Sequence, residues 1–375
     1  LKIKPDYAEA YLNMGISLQE KGELDIAIDS YKQALRIKPD YEPARVAKLY
    51  QQAEICDWAE IEKDRDFIPR LGTLTQNVDP FALMTFEDVP ERHRLRSEIS
   101  AKTKFKQKPI SLPAIPSQKP KRLRVGYFSS DFRQHSVAYG ILNVFASHNR
   151  EHFEIYGYSF GEDDGSKIRQ EIIEAVDVFD DVKEINDKDI ALLARQDKID
   201  IAIDLNGYTL NSRPGIFAYR AAPVQIHFWG SANSMGTDSI DYYIGDDLGI
   251  PKEYEHGYSE KIIRLPHWVQ AKYDDESISD LSMTRADMGL PEQGFVFCCF
   301  NKSNKISSAE FEIWMRLLNK VSGSVLWILK SNKWMEQNLR QEAQKRGIAA
   351  ERLVFAEKVP HPVHLARQRL ADLLL

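Results

Sequence analysis

The seven residues Leu1-Lys2-Ile3-Lys4-Pro5-Asp6-Tyr7 return as Leu35-Arg36-Ile37-Lys38-Pro39-Asp40-Tyr41, identical at six of seven positions and shifted by 34 residues. No other feature constrains the chain so tightly, because a unit this short cannot bury its apolar face alone and has to stack on its neighbours. Between the two copies, Ala8 to Lys21 carries Tyr11, Leu12, Met14, Ile16 and Leu18, and Leu24 to Leu35 carries Ile26, Ala27, Tyr31 and Ala34, apolar residues at helical spacing. Gly22 is placed to end the first helix.

A period of this length is that of tetratricopeptide repeats, which need about three units for stability, so further repeats are expected upstream of Leu1. The first residue is Leu1 and not Met, and Ala371-Asp372-Leu373-Leu374-Leu375 reads as a strand being entered. Both ends lead to the expectation of a piece of a longer protein.

The 375 residues are 43% hydrophobic, enough for two or three ordinary cores. A formal net charge of -6 supplies no general basic field, which argues against nucleic acid as a partner. Cys56, Cys298 and Cys299 have neither the even count of a disulfide framework nor the spacing of zinc ligands, so a reducing, cytoplasmic setting is expected. The sequence has no charged start followed by an apolar core and no apolar run of about 18 residues, so no membrane partner is expected.

The expected organisation is a repeat region at 1–48, a connecting region at 49–120, an α/β lobe at 121–290 and a second, partial lobe at 291–375. Pro109, Pro113, Pro116 and Pro120 forbid regular helix at the end of the connector, which reads as a solvated linker. From Leu123 onward, short apolar runs alternate with helical ones. Strands are expected at Leu123 to Ser129, Phe153 to Ser159, Ile199 to Leu205, Val224 to Trp229 and Tyr242 to Ile244. Helices are expected after Val137, Ser166 and Lys188. A second series places strands at Phe295 to Phe300, Val325 to Leu329 and Leu353 to Ala356, and helices at Ala309 to Val321, Met335 to Arg346 and His364 to Leu370. The fold class is therefore helical repeats followed by two Rossmann-like lobes, an arrangement expected to bind its ligand at strand ends.

His135 follows the first strand, in Ser129-Ser130-Asp131-Phe132-Arg133-Gln134-His135, where an imidazole accepts a proton from a substrate, hydrogen-bonds it, or only stands near a helix start with no chemical role. Asp204-Leu205-Asn206-Gly207-Tyr208-Thr209 ends another strand; Asp204 either meets a ligand or caps the next segment, and Gly207 permits a tight turn. Asp64-Arg65-Asp66 and Asp187-Lys188-Asp189 have the spacing of metal-binding aspartate pairs, but the first lies in the connector and the second opens a helix, so no metal is expected.

The run Leu123-Arg124-Val125-Gly126-Tyr127-Phe128-Ser129-Ser130-Asp131-Phe132, with His135 after it, resembles the start of the catalytic domain in the O-linked N-acetylglucosamine transferase and SPINDLY family. Cys56-Asp57-Trp58, Asp204 to Thr209, Ala222-Pro223-Val224-Gln225, Tyr258-Ser259-Glu260-Lys261, Phe300-Asn301, Lys305-Ile306, Ser324-Val325-Leu326-Trp327 and Leu370-Ala371-Asp372 continue the likeness in the family's order. The resemblance implies a GT-B fold and inverting transfer of a sugar, N-acetylglucosamine first, from a nucleotide diphosphate to protein serine or threonine. It implies no metal cofactor, UDP-N-acetylglucosamine or another nucleotide sugar as donor, and an acceptor protein held by the repeats.

The resemblance implies His135 and Lys305 as catalytic residues, Lys305 against the departing diphosphate. Asn301, Lys302, His364, Arg367, Asp204 and Gly207 become nucleotide-sugar contacts, with His361 just ahead of His364. Two departures stand out. The loop Gly230-Ser231-Ala232-Asn233-Ser234-Met235-Gly236 differs from the family's pattern, and Asn304 stands where animal enzymes carry an aromatic. His135-Ser136-Val137-Ala138-Tyr139 is closer to the SPINDLY version, which leaves O-fucosyl transfer open, and the altered loop at 230–236 leaves open a repeat scaffold with a degenerate transferase domain. In the family, a helix start that holds the diphosphate follows beyond Leu375, so the 375 residues alone are expected to be inactive.

Overall fold

The computed structural model describes residues 6–106, 120–270 and 278–375. Most of the first repeat motif, Leu1 to Pro5, and the linker prolines Pro109, Pro113 and Pro116 lie outside the described residues. The chain divides into two compact units. One joins the described residues through Ile68 to those from Ile278 to Leu375, and the other holds the described residues from Pro69 to Gln270.

The first unit opens with an antiparallel pair, α1 (Ala8–Glu20) and α2 (Leu24–Ile37). Gly22 turns the chain between them at φ +77°, a value that strains any other residue. A β-carbon on Gly15 would sit 2.3 Å from the Tyr31 ring, so this glycine sets how closely the two helices approach. Helix α3 (Glu42–Glu54), with Pro43 in its first turn, starts the next hairpin, and α4 (Trp58–Glu62) follows, capped by the Asp57 carboxylate. The boundary expected at residues 48 and 49 falls inside α3, whose buried Leu49 and Ala53 keep it helical through Glu54. Asp64 of the first aspartate pair is buried against Arg45 and Lys48, an ion-paired anchor.

The second unit begins with α5 (Pro80–Leu83) and α6 (Pro90–Lys104) and continues through β1 (Leu123–Ser129), α7 (Ser136–Ser147), β2 (Phe153–Ser159), α8 (Lys167–Ala175), β3 (Val178–Asp181) and α9 (Asp187–Gln196). It ends with β4 (Ile201–Asp204), α10 (Gly215–Ala218), β5 (Val224–His227), β6 (Tyr242–Asp246) and β7 (Lys261–Leu265). Its seven strands are all parallel, in the order β3-β2-β1-β4-β5-β6-β7. Successive residues of β1 feed cores on opposite faces. Tyr127 packs edge-on to Phe145 at 4.8 Å, and Phe128 stacks on Tyr158 at 4.5 Å. Strands β3 and β7 were not expected from the sequence. Both are edge strands, only partly buried, and so lack the continuous apolar run of a central parallel strand.

The latter part of the expected connector belongs to this lobe. Arg96 of α6 is buried, ion-paired to Glu87 at 2.6 Å and donating to the Leu71 carbonyl, while Tyr208 donates to the carbonyls of Ser97 and Met235.

The remainder of the first unit is a smaller lobe: β8 (Val296–Cys299), α11 (Ser308–Lys320), β9 (Val325–Leu329), α12 (Lys333–Lys345), β10 (Leu353–Ala356), α13 (His361–Arg367) and β11 (Leu373–Leu374). Its parallel sheet runs β10-β9-β8-β11 around the fully buried Trp327. Ser307 and Glu310 close a reciprocal cap at the start of α11. The last helix begins at His361, three residues before the expected His364, because Pro362 is well suited to a first helical turn. Arg367 is therefore at its end, not its beginning.

Candidate functional site

Each unit gathers polar residues at the carboxyl ends of its strands, where parallel α/β sheets bind ligands. In the larger lobe the hub is Asn206, fully buried after β4. Its amide donates to Ser130 Oγ at 2.9 Å, Asp131 Oδ2 at 2.8 Å and Thr209 Oγ1 at 3.2 Å, and its Oδ1 accepts from the Ser130 amide. This ties the end of β1 to the end of β4.

Asp204 accepts from the backbone amides of Asn206 and Gly207, both at 3.0 Å. Its Oδ2 also lies 3.3 Å from Nδ1 of His227, the fully buried last residue of β5, whose Nε2 sits 2.9 Å from the Ser231 carbonyl. Burial alone would depress His227, but the Asp204 carboxylate and the Ser231 carbonyl outweigh it and raise its pKa. Gly207 has φ +63°, and a β-carbon there would stand 2.1 Å from Ser231 Oγ. The Asp204 carboxylate and Gly207 thus shape the protein's own turn after β4, the contacts that the capping reading of Asp204 expects.

His135 is half-buried at the N-cap of α7. Its Nδ1 accepts from the Val137 amide at 3.3 Å and lies 3.7 Å from Asp131 Oδ2. Burial lowers its pKa, Asp131 opposes that, and Arg133 adds to it. With Nδ1 engaged as an acceptor, the neutral ring carries its proton on Nε2 and presents a donor. Further along α7, a β-carbon on Gly140 would lie 2.2 Å from the Trp229 ring, so this glycine seats that indole. Trp229 (φ 71°) and Gly230 (φ 61°) are consecutive left-handed residues at the start of the altered loop. Beside them lies a cavity of about 230 Å³ walled by Trp229, Tyr243, Tyr258 and Trp268.

In the smaller lobe, Phe300 at the end of β8 is the platform. His364 packs on its ring at 4.9 Å, and the Arg367 guanidinium covers it at 4.7 Å, reaching Trp327 at 5.8 Å. Arg367 is buried and donates to the Glu357 carbonyl at 2.7 Å and to His364 Nδ1 at 2.7 Å. Burial, and then the Arg367 charge, hold His364 below the ordinary histidine range. Asn301 is exposed and contacts Cys299 Sγ at 3.7 Å, and Lys302 is exposed with its amine 3.6 Å from Glu54. Lys305 ends a 3₁₀ turn, Ser303–Lys305, with its side chain in solvent and, among the described residues, no carboxylate paired to it.

His364 and Arg367 are thus brought together with the residue preceding Asn301, whereas Asp204 and Gly207 join His227. His227, Asn206 as a hub and Phe300 as a platform were not expected from the sequence. His227 carried a usable signal, a histidine at a strand's carboxyl end like His135. Among the described residues no group of three or more His, Cys, Asp or Glu side chains is placed to hold a metal ion, and no helix is long and apolar enough to cross a membrane.

The sequence profile of glycosyl transferase family 41 matches residues 99–271 and 269–375, and that of the tetratricopeptide repeat matches residues 8–41. The chain is similar to the probable UDP-N-acetylglucosamine–peptide N-acetylglucosaminyltransferase SEC of Arabidopsis thaliana, 36% identical over 272 residues, which are 71% of this chain and 28% of that protein. It is 31% identical over 223 residues to the probable transferase SPINDLY of the same plant, 58% of this chain and 24% of that one. The fold matches that of a mutant O-GlcNAc transferase from Thermobaculum terrenum, with TM-score 0.78 and 22% identity, over 100% of this chain and 72% of the other. The chain spans under a third of the length of the curated relatives it matches.

Proposed function

The chain belongs to glycosyl transferase family 41, and from that membership we propose that it forms part of an inverting transferase that moves N-acetylglucosamine from UDP-N-acetylglucosamine to serine or threonine hydroxyls of proteins. One observation carries the reading: Phe300 seats a neutral histidine and a buried arginine at the same strand end that leads into the exposed Lys305.

In this reaction the acceptor oxygen attacks the anomeric carbon as the bond from that carbon to the diphosphate oxygen breaks, and the hydroxyl proton leaves to solvent, directly or by way of the departing diphosphate. Negative charge grows on the departing diphosphate. Lys305 supplies a positive charge for it, and His364, with its proton held on Nε2, supplies a hydrogen-bond donor for the nucleotide. Asn301 and Lys302 flank the nucleotide on the same loop. Arg367 acts through His364, because it is buried and both of its terminal nitrogens donate within the protein.

His135 donates from Nε2 to the sugar or acceptor. Asp204 and Gly207 act by holding the turn beside it through Asn206 and Asp131. The repeats hold an extended segment of the acceptor protein, the class of ligand that stacked helix pairs suit. Three buried free cysteines, Cys56, Cys298 and Cys299, accord with a cytoplasmic setting. Mass spectrometry of candidate acceptor proteins incubated with the whole protein and either UDP-N-acetylglucosamine or GDP-fucose tests this reading. It predicts an N-acetylhexosamine adduct on serine or threonine with the first donor; a deoxyhexose adduct with the second alone would assign the donor otherwise, and no adduct with either would overturn transfer.

A further inference from the structure

The Cys56-Asp57-Trp58 motif lies in the expected connector, far in sequence from any candidate site residue, yet it docks on the loop that carries Lys305. The Trp58 indole Nε1 donates to the Ile306 carbonyl at 3.1 Å, and its ring packs on Phe311 at 5.1 Å. Cys56 Sγ, fully buried, donates to the Ser303 carbonyl at 3.7 Å. Ser303 Oγ donates to Glu54 at 3.3 Å, Lys302 lies 3.6 Å from the same carboxylate, and Asn304 donates to the Tyr50 hydroxyl at 3.3 Å. In return, Asn332 and Asn338 of the smaller lobe donate to the Glu54 and Ile55 carbonyls, each at 2.8 Å.

Residues 302, 303, 304 and 306 therefore each contact the segment from Tyr50 to Trp58, while the side chains of Lys302 and Lys305 stay exposed. A turn of three residues has little rigidity of its own, so its placement is set by what it is docked on. Cys56 takes φ 54° to make the docking turn, an unusual backbone for a residue with a side chain.

We infer that Trp58, with Tyr50 and Cys56, is a positioning element for Lys305, so that the segment from Tyr50 to Trp58 is the socket in which the lysine's loop is seated. The inference rests on the proposed role of Lys305 in transfer. It also accounts for the departure at Asn304, whose side chain is buried and turned to Tyr50.

Trp58→Phe keeps the ring on Phe311 and removes the single N–H that holds Ile306. In the whole protein, with UDP-N-acetylglucosamine as donor, this substitution is expected to lower kcat about five- to tenfold with the donor KM unchanged. Amide hydrogen exchange should quicken at residues 303–306 while α11 stays protected. In a Lys305→Met background the same substitution should cost no further rate, because a misplaced loop then has no charge to misplace. An equal fold-loss in both backgrounds, or faster exchange at 303–306 with kcat unchanged, overturns the positioning role and leaves the transferase reading standing. A Lys305→Met variant with wild-type turnover overturns the reading of Lys305, and this inference with it.

Discussion

Arg367 Nη2 donates to His364 Nδ1 at 2.7 Å, with both side chains packed on the ring of Phe300. An arginine has no acceptor, so this bond fixes the neutral imidazole with its proton on Nε2. The variant His364→Gln keeps an N–H near that position, and His364→Ala does not. Calorimetric titration of the whole protein with UDP is expected to show affinity falling about tenfold for the alanine variant and much less for glutamine. Equal losses in the two would remove the donor role from Nε2.

His135 combines a structural duty with its proposed chemical one, and the two separate by substitution. Asparagine at 135 can still accept from the Val137 amide as an N-cap, whereas alanine cannot. His135→Ala should cost about 1 kcal/mol of stability, and His135→Asn should be close to neutral. Both should reduce transfer by roughly 10²-fold or more. Transfer surviving in the asparagine variant would confine His135 to capping.

The buried pair Asp204 and His227 makes a pH-dependent contribution to stability. Because the folded pKa of His227 is raised above 6.5, the contribution is complete below that pH and is lost as pH rises through the raised value. Urea unfolding from about pH 6 to about pH 9 should show the wild type losing stability relative to His227→Gln, which does not titrate. Asp204→Asn, which leaves the histidine without its counter-charge, should cost about 3 kcal/mol near neutral pH. A constant difference between wild type and His227→Gln across that range would show that the pair does not hold the proton.

Central strands were legible in the sequence because burial on both faces writes a continuous apolar run, as in Leu123 to Ser129 and Val325 to Leu329. The edge strands were not, since Val178–Asp181 and Lys261–Leu265 bury one side at most. The candidate site divides in the same way. His135, Lys305 and His364 stand out as reactive types near strand ends or helix starts. The contacts that place them are long-range and leave no local pattern: nothing near Trp58 in sequence announces Ile306, and nothing near Asn206 announces Asp131. The connector reads as a charged helix-like stretch followed by a linker rich in Lys and Pro, yet its residues are shared between two units, with Trp58 packed on Phe311 and Arg96 buried against Leu71 and Glu87.

The charge of Lys305 is the centre of this account. Its side chain lies in solvent with no partner among the described residues, so methionine in its place should leave folding intact. The direct measurement is the steady-state rate of N-acetylglucosamine transfer from UDP-N-acetylglucosamine to an acceptor protein by the whole protein, for wild type and Lys305→Met, with circular dichroism recorded on both. Loss of roughly 10²–10³-fold in kcat with an unchanged spectrum is the predicted result, and near-normal turnover in the methionine variant would contradict it.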